Sequence, residues 1–103
     1  MINDQLQKYY ETDNVNKVID FLVENQIEVN TLLELYCQIT KYFGRCRPTL
    51  FIDHSIKEIV IYVPIKDMSA EEIFEKINKF DKQYLLNLPT KIFSKICVAP
   101  KFC

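Results

Sequence analysis

Between Thr49 and Phe102 the chain reads, in order, as a strand, a second strand, a capped helix and a final strand. That order limits the fold more than any other feature. Thr49-Leu-Phe-Ile-Asp53 and Glu58-Ile-Val-Ile-Tyr-Val63 are apolar runs of strand length, rich in β-branched and aromatic residues. Successive strand side chains point to opposite faces, so Ile59, Ile61 and Val63 share one face while Glu58, Val60 and Tyr62 share the other. The first face is expected to lie against helices; the second is only partly apolar. Pro64 is expected to close this strand. The intervening Asp53-His-Ser-Ile-Lys57 predicts a hairpin loop longer than two residues, because the tight turns favour glycine.

Ser69-Ala-Glu-Glu72 has capping-box spacing: the serine oxygen can accept from the amide three residues on, and Glu72 can reach back to the Ser69 amide. Ile73, Ile77, Phe80 and Tyr84 then recur at helical spacing, predicting a helix from about Ala70 to Tyr84 that Leu88-Pro89 cannot continue. Asn87 to Ser94 reads as a connecting loop, and Lys95-Ile-Cys-Val-Ala99 as a closing strand that ends at Pro100.

The first 44 residues look helical. Ile2, Leu6 and Tyr9 or Tyr10 are spaced for a short helix, and Thr12 or Asp13 can cap a second carrying Val15, Val18, Ile19 and Leu22. Asn25-Gln26 marks a break. Asn30 is the expected cap of a third helix with Leu32, Leu35, Tyr36, Ile39, Tyr42 and Phe43 along its apolar stripe. Gly44, the single glycine, stands where a helix-terminating glycine belongs, and its solitude predicts few backbone turns of positive φ.

A chain of 103 residues is too short to divide into two useful cores, and 49% hydrophobic with 26% charged residues is the balance of a folded protein. The expected fold is a single α+β domain in the order ααα-ββαβ. A helical layer (residues 1–44) packs on a small, mainly antiparallel sheet built by the strand-strand-helix-strand unit (residues 49–102).

Phe80-Asp-Lys-Gln-Tyr-Leu-Leu-Asn-Leu-Pro89 followed by Lys95-Ile-Cys-Val resembles the C-terminal signature of a group of small, uncharacterised bacterial proteins. There a helix ends in Phe-Asp, polar and aromatic residues lead to Leu-Pro, and a short apolar strand follows. The resemblance extends over roughly Leu50 to Phe102 and implies no established activity. Val-Ala-Pro-Lys stands where that group carries acidic residues in the last strand.

Signals for chemistry are sparse. His54 is the sole histidine, and its neighbours Asp53 and Ser55 do not make a catalytic trio, because adjacent residues in extended chain diverge. Cys37, Cys46, Cys97 and Cys103 lack zinc-site spacing and read as free thiols, two of them core residues. Cys46 lies between Arg45 and Arg47, whose charges favour a thiolate, but just past a helix C-terminus, which opposes one. One glycine excludes the phosphate-cradling loops. Glu71 and Glu72 suit a helix start without further role. No enzyme, metal or cofactor is expected. No stretch approaches the ~20 apolar residues of a membrane span, and no secretion leader is recognisable, so a cytoplasmic protein without membrane contact is expected.

Charge is distributed unevenly. Met1 to Tyr36 carries seven acids against Lys8 and Lys17, a balance of −5, whereas no acid follows Asp81. Attraction between the two ends, within the fold or head to tail, accounts for this most simply. Three helices before a hairpin is also the order of a winged helix, but the third offers only Lys41 as a cation. Arg45, Arg47, Lys91, Lys95 and Lys101 gathered at one sheet edge would form a basic patch for an acidic protein or for nucleic acid. The favoured expectation is a non-enzymatic interaction or regulatory module whose partner is another protein or a second copy; nucleic-acid binding through the patch is the alternative.

Overall fold

The computed structural model describes residues 2–102, with side chains for residues 4–101. Three helices come first: α1 (Ile2–Tyr9), α2 (Val15–Glu24) and α3 (Val29–Phe43). Strands β1 (Thr49–Asp53) and β2 (Glu58–Ile65) follow. Then come α4 (Ala70–Gln83), a 3₁₀ turn (Leu85–Asn87), the one-turn helix α5 (Thr90–Phe93) and β3 (Ile96–Phe102).

The sheet order is β1-β2-β3, with β1 antiparallel and β3 parallel to the central strand. The sheet is therefore mixed rather than mainly antiparallel. The helical connection carries the chain from the C-terminal end of β2 back to the end where β2 began, so β3 runs parallel to it. Leu50, Ile61 and Val98 lie abreast, as do Ile52, Ile59 and Ile96. These side chains share one core cluster with Leu6, Val18, Leu22, Leu32, Leu35, Ile39, Ile73 and Phe80, so all four longer helices cover the same face. Each fully buried aliphatic side chain in that layer contributes about 2 kcal/mol. Tyr10 is buried among them and its hydroxyl donates to the Leu32 carbonyl at 2.7 Å. Burial, and then the neighbouring Tyr84, push that hydroxyl far above its ordinary range.

Several boundaries differ from expectation. Asn14, not Thr12 or Asp13, caps α2, accepting from the Lys17 amide at 3.2 Å. Helix α3 starts before Asn30, which instead donates to Glu34 one turn on. Ser69 caps α4 as the spacing implied, accepting from the Glu72 amide. Pro64 lies inside β2 and Pro100 inside β3. The Ile59 amide donates to the Lys95 carbonyl, so odd-numbered residues of β2 bond toward β3 and even-numbered ones toward β1. Pro64 therefore lacks its N–H on the side where β1 has already ended, and Pro100 lacks it on the free edge of β3. The stretch expected as loop after Asn87 contains α5, whose first turn tolerates the preceding Pro89.

Gly44 has φ 86° and ψ −179°, a region essentially reserved for glycine, with open space around it. Gln26, Lys57 and Asp67 also take positive φ, so the lone glycine did not limit such turns. At Gln26 the reason is a Schellman closure of α2: the Ile27 amide reaches Leu22 and the Gln26 amide reaches Val23, while Ile27 is buried. Of the described cysteines, Cys37 and Cys97 are exposed and Cys46 half-buried, so none of these is a core residue. Cys97 fails to enter the core because strand alternation sends it opposite Ile96 and Val98. Cys103, read as a terminal free thiol, lies outside the described residues.

Candidate interaction face

Among the described residues, no helix or strand covers the sheet face away from the core. Its residues follow from the register: Asp53 beside Glu58, then Phe51, Val60 and Cys97, then Thr49, Tyr62 and Ala99, then Pro64 and Lys101. Val60, although buried, stands outside the core cluster and is shielded within its own face. The rings of Phe51 and Tyr62 pack at 5.4 Å between centroids. Tyr62 is 36% exposed, whereas its neighbour Ile61 on the opposite face is 0% exposed. From Glu58 to Pro64 this surface is about 20 Å long.

One end of the face is basic. Arg45, Arg47, Lys66 and Lys101 line a cleft of about 540 Å³ with Tyr62, Pro64, Thr49 and Cys46, against the single acid Glu11. Arg47 is committed: its guanidinium donates to the Gln7 carbonyl at 2.7 Å and reaches the Tyr10 carbonyl at 3.4 Å, holding the last turn of α1. Arg45 and Lys66 are exposed, and neither side chain bonds or ion-pairs within the described residues. Cys46 shares the cleft, yet burial pushes its thiol up in spite of the flanking arginines, so the environment does not activate it.

The other end is acidic. The Asp53 carboxylate accepts from the Ser55 hydroxyl at 2.6 Å and the Ser55 amide at 3.0 Å. Those bonds hold it below the usual carboxylate range. His54 is exposed in the same loop, and the Asp53–Ser55 pairing leaves no relay through it. Glu58, half-buried at the start of β2, completes this end.

The five cations expected to form one patch are divided. Lys95 and Lys101 sit near opposite ends of β3, roughly 20 Å apart along the strand. Lys95 lines a different cleft under α2, with Lys17, Lys57, Asp20 and Glu24. Lys91 donates to the Gln26 side chain at 3.3 Å. Arg45, Arg47 and Lys101 come together; Lys91 and Lys95 instead approach the acidic α2 layer. Lys66 takes their place, missed because it follows Pro64 and the strand was expected to stop there.

The winged-helix order does not yield a reading helix. α3 packs against α1, α4 and β2, and its exposed positions Glu34 and Lys41 carry opposite charges. Among the described residues no group of three His, Cys, Asp or Glu side chains is placed to hold a metal ion, and no helix is long and apolar enough to cross a membrane. Comparison of the chain with protein-family models, with curated proteins and with solved structures returned no match.

Proposed function

We propose that this chain is a small non-enzymatic interaction module, a regulator, inhibitor or immunity-type partner, that works by occlusion. The bare sheet face docks on a partner, another protein or a second copy of the chain, and covers it. The observation that carries this reading is Tyr62 and Phe51 standing exposed or half-exposed on the outer sheet face, beside Arg45 and Lys66, which have no partner among the described residues. Aromatic residues and arginine over a small apolar patch are the composition of protein contact surfaces. The resemblance of the Phe80–Pro89 segment to small bacterial proteins agrees with a bacterial setting, and the cytoplasm is the compartment in which we place it.

The basic cleft favours one second reading, an anionic nucleic acid held by Arg45, Lys66 and Lys101. Two features weigh against it. Arg47 is occupied by α1, and the cleft passes directly into an apolar face instead of continuing as a cationic track.

The two readings separate in one experiment. The tagged chain is captured from its host beside Tyr62→Lys, with circular dichroism confirming that the variant folds. A protein partner present in near-stoichiometric amount with the parent and lost with Tyr62→Lys supports docking through the face. Material absorbing at 260 nm and released by salt supports nucleic acid instead. Capture that is indifferent to Tyr62→Lys refutes the docking face.

A further inference from the structure

The uncovered face is charged in opposite senses at its two ends, and that pattern selects a partner. We propose that the face takes a second copy of this chain, packed sheet to sheet in a two-fold dimer with its strands antiparallel to the first. This rests on the docking-face reading and narrows it to one occupant.

Glu58 and Asp53 mark one end of the face, Lys66 and Arg45 the other, and Tyr62 stands midway between Glu58 and Lys66 along the chain. Two copies can meet face to face about a two-fold axis in only two simple ways. With the axis along the strands, acid lies on acid and base on base. With the axis across them, through Tyr62, the acidic end of each copy meets the basic end of the other. Glu58 of one copy then faces Lys66 of the other, Asp53 faces Arg45, Val60 faces Pro64, and the two Tyr62 rings meet on the axis. Like charges held together disfavour the first arrangement and opposite charges favour the second, so the chain is self-complementary in one orientation. Lys95 does not spoil the acidic end, because its side chain lies in the cleft beneath α2 with Asp20 and Glu24.

Area sets the strength. Three strands spaced about 4.8 Å apart and about 20 Å long present roughly 300 Å² in projection. The basic cleft and hairpin loop enlarge this, but the total stays below the ~800 Å² per partner of a standard stable interface. The dimer is therefore weak, with a dissociation constant on the order of tens of micromolar and steep salt dependence.

Sedimentation velocity of the full chain from about 5 to about 500 μM at low salt tests this directly, since that range brackets the expected constant. The expected result is a concentration-dependent monomer–dimer equilibrium. Glu58→Lys and Lys66→Glu each weaken it about tenfold, because each turns two cross-dimer attractions into repulsions. The double variant, which exchanges the charges, recovers to within about threefold of the parent. A purely structural role for either residue would not produce that recovery. A dimer indifferent to the single changes, or one that the double change does not restore, overturns this packing. A chain monomeric throughout also overturns it, and the Tyr62→Lys capture experiment then decides separately whether the face still docks a different protein.

Discussion

The two faces of one three-stranded sheet differ more than any other pair of regions in this molecule. Ile59, Ile61, Val63, Ile96 and Val98 look into a core closed by four helices, while Phe51, Val60, Tyr62, Cys97 and Ala99, on the same three strands, look outward. Both sets are largely apolar. One has been covered by the chain's own helices and the other has not. Hydrophobicity thus builds the fold on one side and leaves material for recognition on the other. What separates the two is where α1 to α4 pack, not the character of the strands.

The largest break in this comparison comes from matched substitutions on β2. Ile61→Ala removes a fully buried side chain and is expected to cost about 3 kcal/mol, whereas Tyr62→Ala next to it costs less than about 1 kcal/mol. Urea unfolding of both variants measures the gap, and equal losses would mean that the outer face is part of the core. A smaller effect is expected at Tyr10→Phe, which removes the buried hydroxyl's bond to the Leu32 carbonyl and costs about 1 kcal/mol in the same assay. A loss near zero would show that the hydroxyl does not anchor α1 to α3.

The smallest effect belongs to the acidic end of the outer face. Asp53 titrates below its unfolded value because Ser55 donates to the charged form, so its contribution to stability is present above the unfolded pKa and fades as pH falls through the folded one. Ser55→Ala deletes the hydroxyl donor. The Asp53 carboxyl should then titrate closer to the ordinary carboxylate range in an NMR titration, with only a slight change in acid stability. An unmoved titration would assign the depression to another neighbour.

Much of the fold was legible where residues interact locally. Alternation along Glu58 to Val63 separated the two faces correctly, and the spacing Ser69 to Glu72 located the start of α4. The hairpin loop came out long because Asp53 and Ser55 close it without glycine. The parallel partner of β2 was missed although the order strand, helix, strand points to it, because the hairpin of β1 and β2 was extended to the whole sheet. Positive φ at Gln26 escaped notice for another reason: burial of Ile27 overrides the preference for glycine there. Of the five cations expected around one sheet edge, Arg45, Arg47 and Lys101 line one cleft, while Lys91 and Lys95 lie toward α2, a division set by the turn of chain through α5. Tyr62 was legible as an outer-face residue; its exposure depended on the absence of a second helical layer.

The prolines and the linker after α1 have a consequence for how copies of this chain can accumulate. Glu11 bonds along the start of β1 through Pro48 and Leu50, filling part of one lateral margin of the sheet. On the opposite margin the outward amides of Ile96 and Val98 are followed by a blank at Pro100. An incoming β-segment would find too few consecutive donors on either side to zip along, so sideways polymerisation into fibres is obstructed. Stacking through the broad surface stops at two, because the described residues offer one such surface per molecule and helices occupy the other face of the sheet. The architecture thus permits a finite complex and opposes an endless one.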